Sequence, residues 1–422
     1  MNSTPAKCMD VLLIGGGMIA HDQILPSLYH LQRTGRIGAI AVCSQTGRTV
    51  KKLAENKTIQ DAFPGQAFTP YPDYTEIDDL NKRHPDLYRE LLAGLPPRQI
   101  VIMALPDQLH HDCIMQALDH DQHVMAVKPL VLNHADAAEI EKKAAEKGLF
   151  VGIDYHKRFD DRVLMARRQY RAGRFGDFRL AQAQMVEPWY YRTSNFQNWC
   201  TCENTDLFTY VGCHYVDQIH FITGLLPTEV SVYGIVDTFP NGRKGYLWTD
   251  ARIVWNNGGC LNVIDALGYA NAGAGGNMQG LRMLTQGRDD GGFLIHDDQL
   301  RGVRWCFESP GDAPNATAYN EPNPDYMQLI YRGGEALTPV GYGYRSVEGI
   351  VEAIRRVEQV EGADERRIII EQIDREGIIA TPANSRYNEL VVEAGRLSIE
   401  NHARPVTIEY GDTPSVHFKE WK

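Results

Sequence analysis

Cysteine is scarce in this chain, 8 among 422 residues, and no two stand at Cys-x-x-Cys spacing. That excludes a disulfide-framed fold and makes a reduced, cytoplasmic compartment the expectation. Positive charge is also in deficit. Lys and Arg number 43 against 54 Asp and Glu, a formal charge of −11, so neither nucleic acid nor an anionic membrane is an expected partner. Long apolar runs are missing too. The stretch Val11 to Ile14 is far too short to span a bilayer. Glycines follow it where a cleavage site would stand, so it does not read as a signal peptide. What remains is 43% hydrophobic and 23% charged, which rules out disorder and supports one or more cores. The length suits about two to three domains.

The first part alternates strand and helix patterns. Strands are expected at Val11 to Ile14, Ile37 to Cys43, Ile100 to Leu105, His123 to Val127 and Leu149 to Ile153. Helices fall between them, the first kinked or broken at Pro26. A helix from Asp107 to Asp119 follows Pro106, and Asn133 is placed to cap another. This spacing argues for parallel βαβ units in a doubly wound sheet over residues 1–152, with an insertion at about 61–98 holding a short strand and a helical excursion. Longer alternating runs follow, at Phe178 to Val186, Glu229 to Val236, Tyr246 to Trp255 and Cys260 to Leu267. They suit a large, mostly antiparallel open sheet with one face covered, in an α+β domain over residues 153–422. Gly268 to Gly280 reads as a loop. Val347 to Glu361 and Tyr387 to Asn401 read as amphipathic helices, and the charges from Glu352 to Arg367 as a solvated face.

Chemistry enters at the first strand–loop–helix. Gly15-x-Gly17-x-x-Ala20 follows the strand directly. Gly15 permits the tight turn, Gly17 lets a pyrophosphate approach the backbone, and Ala20 allows close packing. The helix that begins with Met18 and Ile19 offers its N-terminus to the phosphates. In this context the pattern points to a dinucleotide. An acidic residue closing the second strand would hold the ribose hydroxyls of NAD. Here Ser44 occupies that position with Arg48 nearby, which leans towards NADP over NAD.

Later motifs fall in a recognisable order. Pro106 and His110 form Pro-x-x-x-His, Val127–Lys128–Pro129 closes a strand, and Gly152–Arg158–Phe159 and Asn198–Trp199 follow. Gly212, His214 and Asp217 make Gly-x-His-x-x-Asp before Gly224. Together with the glycine loop, this series resembles the Gfo/Idh/MocA family of NAD(P)-dependent sugar and cyclitol oxidoreductases. The resemblance implies that Pro106, His110 and Lys128 border the cofactor and that Lys128 and His214 flank the reacting carbinol. Hydride transfer from a secondary alcohol needs a proton acceptor and a cation beside the developing alkoxide, and Lys128 could serve as either.

Two departures stand out. Val127 replaces the usual glutamate of the lysine motif, so any carboxylate that tunes Lys128 must come from elsewhere. Tyr210 stands where many relatives carry an aspartate, one helical turn before His214. A phenol is the weaker base, so Tyr210 reads as a donor or relay.

The segment 187–200 gathers Trp189, Tyr190, Tyr191, Phe196 and Trp199 among polar residues, which suits stacking on sugar C–H faces. The resemblance places a substrate loop here and raises Trp199 as a contact. Tyr155, His156 and Arg158 are further candidates for hydroxyls or anions. Cys200-x-Cys202 lacks the extra ligands of a zinc site, so no metal is expected.

The leading reading is an NAD(P)-dependent dehydrogenase or reductase acting on a small-molecule carbohydrate. An NAD-dependent glycosidase using transient ring oxidation stays open, as does a non-catalytic sugar- or nucleotide-sensing member of the same fold. By resemblance, a homo-oligomer, dimer or tetramer, is expected through the open face of the second sheet.

Overall fold

Four buried aliphatic residues, Val11–Ile14, form the strand β1 at the centre of the first sheet. A computed structural model of the chain describes residues 8–273, 275–298, 305–308, 317–320 and 326–420. The other strands of that sheet are β2 (Ile40–Cys43), β3 (Thr69–Tyr71), β4 (Ile100–Met103), β5 (His123–Val127) and β6 (Val151–Asp154). All pair in parallel, in the order β3-β2-β1-β4-β5-β6. β1, β4 and β6 are buried along their whole length, as expected of parallel strands covered on both faces. This is the doubly wound order whose ligand crevice lies beyond the carboxyl ends of the strands, where the winding reverses between β1 and β4.

The connecting helices are α1 (Leu25–Arg33), α2 (Gly47–Ala54), α3 (Lys57–Ala62), α4 (Leu87–Gly94), α5 (His110–Asp119) and α6 (His134–Lys147). A π-helical turn, Ala20–Ile24, precedes α1. Pro26, which lacks a backbone donor, sits at the start of α1 next to that turn. The 61–98 excursion contains β3 and α4, as its composition suggested.

Two compact units divide the chain. Unit 1 comprises residues 1–131, 135–156 and 329–385, and unit 2 comprises 132–134, 157–328 and 386–422. A linear division after residue 152 does not capture the return of residues 329–385 to unit 1. That return is driven by apolar burial. Val347, Ile350, Val351, Ile354 and Val357 of α9 (Tyr342–Val357) join Val11, Leu13, Ile100 and Phe150 in one core. Helix α10 (Ala363–Glu376) adds Ile373 to it, and the short α11 (Pro382–Ser385) follows. The charged stretch 352–367 is only partly solvated. Arg366 is buried and donates to the carbonyls of Gly148 and Glu361.

Unit 2 is built on an eight-stranded mixed sheet, ordered β12-β11-β7-β10-β9-β8-β17-β18. Its strands are β7 (Asp177–Pro188), β8 (Pro227–Thr238), β9 (Lys244–Trp255), β10 (Cys260–Tyr269), β11 (Met278–Gln286), β12 (Gly291–Asp298), β17 (Val406–Glu409) and β18 (Ser415–Phe418). Between them in sequence lie β13 (Trp305–Glu308) with β14 (Thr317–Asn320), and β15 (Gln328–Ile330) with β16 (Thr338–Val340), two separate ribbons. The β7–β10 pair is parallel and the neighbours are antiparallel. The loop expected at 268–280 is shorter, because β10 runs to Tyr269 and β11 begins at Met278. Ala274 lies outside the described residues.

Helices α7 (Asp161–Arg171), α8 (Cys213–Thr223) and α12 (Tyr387–Ile399) belong to unit 2. On the uncovered face, strand register lines up the exposed Leu180, Leu284 and Phe293 across β7, β11 and β12. Among the described residues, no helix is long and apolar enough to cross a membrane.

Candidate functional site

In unit 1 the expected cofactor residues gather at the carboxyl ends of β1, β2, β4 and β5. Gly15 has φ +110°, and a Cβ there would overlap the Ala104 carbonyl oxygen at the end of β4. The left-handed backbone and the close approach both demand glycine. Its N–H donates to the Cys43 carbonyl at 2.8 Å, tying the loop to β2. Gly17 is exposed, and no described residue comes within 4 Å of where its Cβ would stand. A side chain would therefore project into open space at the start of the helix that Met18 and Ile19 begin. Such a cradle fits a dinucleotide pyrophosphate.

Ser44 follows β2, and its N–H donates to the Tyr71 carbonyl at 2.9 Å. Thr46 caps α2 by accepting from the Thr49 N–H. Arg48 is exposed in the first turn of α2. Ser44 and Arg48 thus offer a hydroxyl and a guanidinium near the end of β2.

His110 is fully buried. Its Nδ1 lies 2.9 Å from the Pro129 carbonyl oxygen and its Nε2 2.9 Å from the Leu105 carbonyl oxygen. The ring therefore braces the loop after β4 against the turn that carries Lys128. This geometry gives the Pro106–His110 motif a supporting role behind the crevice. Lys128 is 8% exposed at the end of β5. Tyr155 is buried, and the His156 ring lies 5.5 Å from that of Tyr342.

Unit 2 holds Tyr210, His214, Trp199 and Arg158. His214 is buried on α8, and the turn before it, Phe208–Gly212, is π-helical. Tyr210 lies in that turn and packs edge-on to Phe196 and Trp199, with ring centroids 4.9 and 5.3 Å away. Trp199 is 9% exposed, while Trp189 and Tyr190 are each 46% exposed. The aromatic segment thus splits into a buried cluster and an exposed pair. Asp206 accepts from the Thr209 N–H at 2.8 Å and anchors the π-turn. Burial pushes its carboxyl up.

Arg158 is committed to the interior of unit 2. Its Nε and one terminal nitrogen donate to Asp217 at 2.8 and 2.6 Å, and the Tyr387 hydroxyl lies 3.2 Å away. Burial disfavours the guanidinium charge, but Asp217 and Tyr387 more than offset this and hold it strongly protonated. The pair Arg158–Asp217 fastens α8 and α12 to the start of the unit, which places two of the motif's residues in a structural role.

A buried polar group that the motifs did not reveal lies on the covered face of the second sheet. Glu187, Asp265 and Gln279 occupy inward positions of β7, β10 and β11, and Met185 pairs with both Asp265 and Gln279. Lys157 donates to Gln279 Oε1 and Asp298, each at 2.6 Å. Gln279 in turn donates to Glu187 at 3.4 Å. Gly212 lets α8 approach, since a Cβ there would stand 2.8 Å from Asp265 Oδ2. An acid or amide recurring on the apolar row of an alternating strand is the signal that could have found these residues.

Asp160, His296 and Asp298 also bring possible ligand atoms within 4.8 Å of one another. Lys157 and Arg162 already supply their counter-charge, at 2.6 Å to Asp298 and 2.6 Å to Asp160. Burial opposes the charge on Asp160, but His296 and Arg162 hold its carboxyl well below the usual range.

Comparison with known proteins agrees with this picture. Residues 9–155 match the GFO_IDH_MocA family, described as an oxidoreductase family with an NAD-binding Rossmann fold. A scyllo-inositol 2-dehydrogenase (NADP(+)) of Bacillus subtilis is 24% identical over 157 residues, 37% of this chain and 40% of that protein. A D-glucoside 3-dehydrogenase of Escherichia coli is 23% identical over 229 residues, 53% of this chain and 56% of that protein. The chain thus spans about half or less of these curated relatives. The fold extends further. An inositol dehydrogenase homologue from Azotobacter vinelandii, solved with NADH and myo-inositol, superposes with a TM-score of 0.62 at 15% identity, covering 95% of this chain and 98% of that one.

Proposed function

We propose that the chain moves a hydride between a nicotinamide dinucleotide and a secondary hydroxyl, or the matching ketone, of a sugar, sugar derivative or cyclitol, since residues 9–155 match the NAD-binding Rossmann fold of the GFO_IDH_MocA oxidoreductase family. The observation that carries this reading is the open cradle at Gly17 in the same row of strand ends as Lys128. When bound, the nicotinamide accepts or returns the hydride. The residues of the chain do the rest. Gly15 and Gly17 admit the pyrophosphate, and His110 braces the Lys128 turn. Lys128 exchanges the hydroxyl proton or stabilises the alkoxide.

Hydroxyl-rich substrates suit unit 2, whose Glu187, Asp265, Gln279 and Lys157 offer both donors and acceptors on one face. Inositol and glucoside dehydrogenases among the relatives support the substrate class. NADP is the proposed cofactor, through Ser44 and the exposed Arg48. Arg48→Ala should weaken NADP far more than NAD, since only the extra phosphate uses the charge. Equal losses would remove the preference. We also propose that the exposed row Leu180–Leu284–Phe293 is covered by a second copy of the chain, to be checked by sedimentation of the wild type against Leu284→Lys.

The direct test is to incubate the protein with NADP or NAD and a panel of cyclitols and sugars. Net reduction of cofactor with at least one of them is the expected result. Aglycone release from a glycoside without net reduction would replace this reading with a glycosidase. Dinucleotide binding with neither activity would leave a sensor.

A further inference from the structure

Valine stands at 127, so the residue before Lys128 offers it no carboxylate. Strand register shows where another is available. In the parallel β5–β6 pair Val127 is aligned with Asp154, the last residue of β6. Lys128 therefore leaves the sheet next to the end of the strand that carries Asp154.

Asp154 is 2% exposed. Its Oδ2 accepts from Gln23 Nε2 at 2.8 Å, and the same amide nitrogen reaches the Gly343 carbonyl at 3.0 Å and Ser346 Oγ at 3.3 Å. The carboxylate is thus fixed from the π-helical turn before α1 and from α9. Its Oδ1 is buried and has no hydrogen-bond partner among the described residues. One anchored oxygen beside one bare oxygen is costly in the interior unless a cation lies close by. Burial pushes this carboxyl up to about 6, against the opposing pull of Ser346, Gln23 and the Lys128 charge. The groups facing it are Lys128 from the end of β5, His156 with Nδ1 4.0 Å from Oδ2, Gln23 and Ser346. Only the first two of these titrate.

We propose that Asp154 is the positioning residue for Lys128, supplying from the adjacent strand the carboxylate that the motif lacks. An anion held at the end of β6 orients the ammonium. The inference rests on the reading of Lys128 as the reacting lysine, but its physical content, the coupling of the two side chains, can be tested without turnover.

The test is reductive ¹³C-methylation of the full chain, with the Lys128 resonance assigned by its absence in Lys128→Arg. The Lys128 signal should show an inflection near pH 6, the titration of Asp154. Asp154→Asn, which still accepts from Gln23, should remove that inflection, and His156→Asn should keep it. In turnover with myo-inositol, Asp154→Asn should lower kcat with KM and dinucleotide affinity unchanged, and Asp154→Glu should recover part of the loss. An inflection that survives Asp154→Asn, or vanishes with His156→Asn, overturns the inference. If the coupling is present but Lys128→Met keeps full activity, the proposed function fails instead.

Discussion

The two units present their polar residues in opposite ways. Unit 1 relies on backbone: a glycine with φ +110°, an open Cβ position at Gly17, and side chains set at the ends of parallel strands. Unit 2 relies on side chains buried in networks, such as Arg158 with Asp217 and Lys157 with Asp298 and Gln279. A backbone site tolerates change around it but not at its glycines. A buried charge network fails when any one member is removed, because the partner is left without compensation.

That contrast can be broken, and the largest effect is expected in unit 1. Gly17→Val should abolish dinucleotide binding and leave the melting temperature unchanged, since its Cβ position is open. Calorimetric titration with NADP checks this, and unchanged affinity would mean that the cradle is not a pyrophosphate site. Next comes Lys128→Met, expected to lower turnover by at least ~10²-fold with cofactor affinity kept.

In unit 2 the first effect should be on stability. Arg158→Met leaves Asp217 buried without its cation and should cost about 3–5 kcal/mol. Among the described residues Trp189, Trp199, Trp248 and Trp255 fall in unit 2, so tryptophan fluorescence during urea unfolding reads that unit. A loss below about 1 kcal/mol would show that Tyr387 and Asn388, which also contact Asp217, suffice to hold it. The smallest effect is expected from Tyr210→Phe. Packed against Phe196 and Trp199, the ring keeps its contacts, so turnover should fall by less than ~10-fold. A loss equal to that of Lys128→Met would make Tyr210 the proton carrier.

The same contrast explains what the sequence disclosed. Unit 1 was legible because its signals are local: a glycine spacing after a strand, a proline ending another, apolar runs of strand length. The return of 329–385 was not legible, because an amphipathic stripe shows that α9 buries a face without showing which core receives it. In unit 2, the motif residues Arg158 and Asp217 were visible as letters, yet their mutual ion pair links positions 59 apart and carries no local signature. The π-turn before α8 was not legible, since no sequence rule flags one. Asp154 was passed over because one acid at a strand end says nothing until register sets it across from Val127.

The central claim is hydride transfer between a carbohydrate carbinol and a nicotinamide. The measurement that tests it most directly is the fate of deuterium placed on the carbinol carbons of myo-inositol and methyl glucoside, followed by mass spectrometry of the released cofactor. Transfer of one deuterium to the nicotinamide, lost in Lys128→Met, is the result the account predicts. Cofactor that binds the wild-type protein yet never acquires label from either compound, with no deuterium passing to the ketones when the reduced cofactor is labelled, would contradict it.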